Sequence, residues 1–196
     1  VLGIAGKLLM DHFYSGMSNF VHPERFHGPG ASGLMQRYIA LNELRTMFIE
    51  RRVASKWQWS GSLIGGNSTS KVSAAVELNL PQGRLNIYME RAQMKQNFIG
   101  YLKDKLGKWE FVYKKQNGLK IRNFPVNPTT VVLYVSTLSM AQAIHKEIVI
   151  DSFPFPVWFL VEEEVEMKGL EYSFYRADKE KLKRLHVGFL ATTQEN

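Results

Sequence analysis

The sequence predicts an α+β fold in which an N-terminal helix packs an antiparallel sheet of about four or more strands. Three observations predict it. A helical apolar stripe runs through Leu34, Tyr38, Leu41, Leu44 and Phe48; two alternating apolar and polar runs then flank Pro81, Gln82 and Gly83; and further strand-like runs follow, with turn residues between them. The order is helix, then strands, then a β/α extension, rather than the βαβ alternation of a parallel sheet.

Residues 1–33 read as an arm, because "VHPERFHGPGASG" carries two Pro and three Gly and interrupts regular structure. Leu34 to Lys56 reads as one helix, since its apolar residues recur three and four apart and form a single stripe. Ser32 is its candidate cap. Arg45, Arg51, Arg52 and Lys56 place positive charge toward its C-terminal end, where the helix dipole favours it.

Strand language begins at "KWQWSGSLI", and "GGNSTS" reads as a loop. Val72, Ala74, Val76, Leu78 and Leu80 then point one way while Ser73, Glu77 and Asn79 point the other, which is the period of a half-buried strand. Leu85, Ile87 and Met89 repeat the pattern on the return, so this stretch reads as a hairpin whose polar face is open to neighbours. The small residues Ser73, Ala74 and Ala75 leave room for a helix to pack closely over one end.

"NFIGYLKDKLGKWEFVYKKQNGLKIRNFPV" reads as a short helical or irregular insert and a second hairpin. Asn117 and Gly118 tolerate the positive φ that a type I′ turn needs at both central positions. That turn would put Trp109, Phe111 and Tyr113 on the inward face of the preceding strand. "TTVVLYVS" reads as a buried strand and "LSMAQAIHKE" as a short helix. A third hairpin is expected to turn near Lys168 and Gly169, and "ADKEKLKRLH" to be helical. Three regions result: an arm at 1–33, an α+β core domain at 34–126, and a C-terminal extension at 127–196 packed on the core.

At 196 residues, with 45% apolar and 12% aromatic residues, the chain can bury a real core and lies far from the composition of disordered chains. It has no cysteine, which excludes disulfides, thiolate zinc sites and Cys nucleophiles. The early apolar run "VLGIAGKLLM" is about half the length needed to span a bilayer, and is expected to be peripheral or the stub of an anchor. No nucleophile elbow, dinucleotide fingerprint or Walker spacing occurs, and "HGPGASG" fits neither phosphate motif. His12, Glu24, His22 and His27 lack the one-face helical spacing of a zinc motif. No catalytic residue, metal, cofactor or small-molecule substrate is expected.

Charge is more informative than any motif. Arg84 to Arg122 holds ten basic and three acidic residues, a balance of +7, whereas Glu147 to Glu171 holds seven acidic residues and one lysine, a balance of −6. The candidate basic contact surface is Lys103, Lys105, Lys108, Lys114, Lys115, Lys120 and Arg122. The candidate acidic one is Glu162, Glu164 and Glu166, on one face of a strand. Such segmental polarity suits surfaces that dock on different neighbours, and the basic part suits RNA or an anionic lipid surface. A nucleic-acid surface also wants aromatics exposed among the basic residues, whereas the alternation places Trp109, Phe111 and Tyr113 in the core.

The order "MQRYIALNELRTMF", "SKVSAAVELNLPQGRLNIYMERA", "GKWEFVYKKQNGLKIRNFPV" resembles the small mitochondrial family that includes a cytochrome c oxidase assembly factor and the intermembrane-space domain of a presequence translocase subunit. The matching positions are Tyr38, Val72 to Leu80, Gly83, Trp109 and Gly118, within residues 34–126. The chain departs from the family in that the transmembrane helix ahead of the domain is absent or cut, in showing no Gly-Pro segment between helix and sheet, and in its C-terminal extension. The resemblance implies a non-enzymatic accessory or assembly subunit of a respiratory-chain or translocase complex at the mitochondrial inner membrane, acting through protein–protein contacts, with no functional residue carried over. The alternative is a mitochondrial ribosome-associated RNA-binding protein.

Overall fold

The computed structural model describes residues 31–67, 70–92 and 97–190, with side chains from residue 36 onward. Residues 1–30 of the expected arm, with its histidines, therefore lie outside the described residues, while 31–33 belong to a helix rather than to the arm. The chain divides into two compact units, Val1–Thr46 and Met47–Asn196. The first contains most of helix α1 (Ala31–Glu50). This helix stops at Glu50, six residues before the expected end, with Arg52 at φ 55° closing it. Lys56 is consequently a strand residue, and Ser32 lies inside the helix rather than capping it. Arg51 folds back to donate from Nη1 to the carbonyl of Met47 at 3.3 Å, so a cation does sit on the last carbonyls, where the dipole favours it.

The second unit is organised around one seven-stranded sheet: β1 (Ala54–Trp59), β2 (Ala74–Leu80), β3 (Gly83–Arg91), β4 (Thr129–Val135), β5 (Val157–Val161), β6 (Phe174–Asp178) and β7 (Lys181–Leu185). Spatial order equals chain order. The α+β class holds, but the sheet is larger than expected and mixed rather than antiparallel. β1–β2, β2–β3, β5–β6 and β6–β7 pair antiparallel, while β3–β4 and β4–β5 pair parallel. Two crossover helices make the parallel steps: α2 (Phe98–Gln116) and α3 (Leu138–Glu147). Crossovers of one hand advancing in one direction put both helices on the same sheet face. One core accordingly joins Leu102, Leu106, Trp109 and Val112 of α2 and Met140, Ala141 and Ile144 of α3 to Ala75, Tyr88, Leu133, Val135, Phe159 and Val161 of the sheet. The opposite face is apolar and buried as well, at Ile87, Met89, Val132, Leu160 and Phe174.

The β2–β3 hairpin forms as the alternation predicts, with Leu80 opposite Gly83 and φ 134° at that glycine. Its polar side is not open, however: Ser73 and Glu77 are buried, and only Asn79 is exposed. The second predicted hairpin does not exist. Residues 98–116 form a single helix, and Asn117, at φ 48°, is its left-handed cap. The N–H of Gly118 then donates to Tyr113 O at 3.0 Å. The residue pair that suits a type I′ turn equally suits a helix stop, because both require positive φ.

Two further expectations are corrected. β5 and β6 do pair antiparallel, but helix α4 (Glu162–Lys168) and a 3₁₀ turn at Leu170–Tyr172 connect them, not a tight hairpin. "ADKEKLKRLH" is the β6–β7 hairpin, turning through Lys179 at φ 56° with Asp178 opposite Lys181. The lysines of β7, Lys181 and Lys183, stand exposed on an edge strand, where they discourage pairing with other chains.

Candidate contact surface along the second helix

The strand expected at Trp109 is a turn of α2, and this changes which side chains meet solvent. On a helix, Leu102, Lys105, Leu106, Trp109 and Val112 recur three and four apart and form the buried stripe. Phe111, two residues from Trp109, is thereby turned almost to the opposite side. It is 66% exposed, and Tyr101 is 52% exposed. Tyr101, Lys108, Phe111 and Lys115 share that outer side. Asp104 and Glu110 are also there, holding Lys108 and Lys114 in i,i+4 ion pairs at 2.7 and 2.6 Å.

The predicted basic residues therefore separate. Lys103, Lys115 and Arg122 are exposed; Lys108 and Lys114 are engaged along their own helix; Lys120 donates weakly to Gln116 O at 3.5 Å. Lys105 is not a surface residue. Its Nζ lies 2.6 Å from Glu90 Oε2, which also accepts from Ser73 Oγ at 2.6 Å, and it sits 5.5 Å from the Trp109 ring centre. Glu90 is 1% exposed, so this is a buried pair whose partners each neutralise the cost of burying the other.

Beside the outer side of α2 runs a loop that the sheet and the segment after α2 hold in shape. Leu63 N donates to Ser70 O at 2.9 Å, Ile64 N to Lys120 O at 2.8 Å, and Leu63 forms a bridge with Ile121. Ser70 Oγ donates to Asn67 Oδ1 at 3.0 Å. Between this loop and α2 lies a groove of about 570 Å³, lined on the helix side by Asp104, Gly107, Lys108 and Phe111 and on the loop side by Gly65, Asn67 and Ser70. A second groove, about 420 Å³, continues over the same loop to Arg122 and Asn123. Gln58, rather than the edge-to-face pair Trp57 and Trp59, lines that second groove.

The acidic candidates do not form one surface. As helical residues they diverge instead of sharing the face of a strand. Glu162 pairs with Arg91 and accepts from Tyr134 Oη at 3.3 Å, while the Arg91 guanidinium lies 4.3 Å from the Tyr134 ring centre. Glu164 is buried; that burial raises its pKa, but Arg184 at 2.6 Å and Lys168 at 3.0 Å outweigh it and hold the carboxyl below its ordinary range. Glu166 alone is exposed. Glu163, not among the candidates, accepts from Leu138 N at 2.7 Å and so caps α3 together with Thr137, which accepts from Met140 N at 3.2 Å.

The other perturbed groups also belong to the scaffold. Glu77 is held below the ordinary carboxylate range by Ser55, which donates at 2.6 Å against the effect of burial, and by Asn127 and Arg84. Burial raises the Tyr88 and Tyr175 phenols. Among the described residues no group of three or more acidic, His or Cys side chains could hold a metal ion, and no helix is long and apolar enough to cross a membrane. Comparison with protein families, with curated proteins and with solved structures finds no match to this chain.

Proposed function

We propose that the chain is a non-enzymatic accessory or assembly subunit of a respiratory-chain complex at the mitochondrial inner membrane, working through protein–protein contacts. One observation carries the contact-driven part of this reading: ionic groups that burial would make chemically special are consumed by internal pairing, while large apolar side chains stand outside. Glu90 is ion-paired with Lys105, and Glu164 with Lys168 and Arg184, inside the unit. Tyr101, Phe111, Val126, Val149, Met167 and Tyr172 are exposed. Aromatic and Met side chains at a surface are the ones enriched at protein interfaces.

The mitochondrial part of the reading rests on the resemblance. It draws on Tyr38, Val72 to Leu80 and Gly83, whereas Trp109 leads no strand here and Gly118 follows the end of a helix instead of turning a hairpin. An anionic lipid headgroup layer is a further contact that the exposed lysines suit. The test is native-gel migration and mass spectrometry of partners co-purified from a mild detergent extract. Respiratory-chain subunits in the same band are the expected result. A free monomer with no membrane complex would overturn the proposal, and co-sedimentation with ribosomal RNA would favour the ribosome-associated alternative.

A further inference from the structure

We propose that the outer side of α2 and the groove beside it bind single-stranded nucleic acid, with one unpaired base stacked on the ring of Phe111. This proposal does not rest on the accessory-subunit reading, although both draw on the exposed Phe111 and Tyr101. Phe111 projects 66% exposed from a helix on which Leu102, Leu106 and Trp109 are fully buried. A planar ring held that way on regular structure offers a face that any base can cover, and such stacking tolerates sequence.

The surroundings suit the rest of a nucleotide. Gly107 carries no side chain and nothing crowds its Cβ position, so the helix surface next to the ring is open to a flat group. Across the groove stands the exposed Asn67, whose Oδ1 accepts from the buried Ser70 Oγ at 3.0 Å, on a loop braced by its bonds to residues 120 and 121. For the backbone, Lys115 lies one turn beyond Phe111 and Arg122 lines the continuing groove, while Lys108 in the first groove is paired with Asp104, which lines it too. Tyr101 is ten residues before Phe111 on the same side of the helix, about 15 Å along the axis, so a strand following α2 passes a second exposed ring. Basic residues with aromatics between them are the combination that binds single strands, and the grooves turn that combination into a track.

The experiment is fluorescence anisotropy of the full chain with a labelled mixed-sequence RNA of about 12 nucleotides, within the site size of such surfaces, and with the matching DNA strand and RNA duplex. Binding of the single strands is expected to exceed that of the duplex. Phe111→Ala is expected to weaken it roughly 5- to 140-fold, as loss of one stacked base does, and Phe111→Trp to keep it. Lys115→Glu with Arg122→Glu is expected to weaken binding and to flatten its salt dependence. All these positions are exposed, and unchanged circular dichroism of each variant shows that folding is intact.

No binding at low salt, equal binding of duplex and single strand, or unchanged affinity in Phe111→Ala would each overturn the proposal. Native-gel migration of Phe111→Ala separates it from the accessory-subunit reading. A variant that still joins the complex while losing nucleic acid supports two surfaces. A variant that loses the complex, in a protein that never bound nucleic acid, makes the ring a protein contact and ends this inference.

Discussion

Lys105 illustrates how a residue's chemistry depends on its angular position. Within a run of basic residues it reads as part of a charged surface, yet on α2 it shares the inward stripe with Leu102 and Trp109 and meets Glu90 at 2.6 Å. A buried ion pair contributes little net stability over an apolar pair, but removing one partner leaves the other charge uncompensated. Lys105→Met is therefore expected to destabilise the chain by about 3 to 5 kcal/mol in urea unfolding, and adding Glu90→Leu to recover most of that. If the single variant unfolds at the wild-type urea concentration, the pair is not sealed from water. Phe111 is the reverse case: reading the segment as a strand buried it with Trp109, while the helix exposes it. The signals for the helix were already in the sequence, in the Asp104–Lys108 and Glu110–Lys114 spacing and in apolar residues three and four apart from Leu102 to Val112.

At the scale of elements, turn chemistry is where the sequence reading diverged from the structure. Asn117 and Gly118 adopt the left-handed backbone that the hairpin reading required of them, but they use it to end a helix. Gly118 holds φ 139°, so Gly118→Ala is expected to cost about 1 kcal/mol or more, measured as a lowered urea midpoint with an unchanged slope. No loss would mean that the cap relaxes into an ordinary turn. At Lys179 the error ran the other way, with a charged run that resembles a helix folding as an edge hairpin. Charge composition does not distinguish a solvated helix from a solvated edge strand; the opposing Phe174 and Leu185 do, and they act only once β5 is beside them. By contrast, the strands at Ala74–Leu80 and Gly83–Arg91, β4 and α3 were legible, because each combines a clear period with a clear stop.

Over the whole molecule the sheet continues through the division at 126/127 that the sequence suggested. β3 hydrogen-bonds to β4 along six paired positions, and the core joins α2 to α3. A chain ending at residue 126 would expose that edge of β3 and the apolar side of α2. Such a piece is expected to aggregate or to melt without cooperativity in circular dichroism, while a sharp, reversible transition would show that 34–126 folds as a domain of its own. The α+β class, the first hairpin and the polarity of charge along the chain followed from local pattern, because period and composition act within a few residues of each position. Which strands run parallel, whether the polar side of β2 meets solvent, and which partners Lys105 and the glutamates of α4 meet were decided by tertiary structure. The physical reason is that two crossover helices had to close on one sheet face, and that closure sets the burial of every side chain around them.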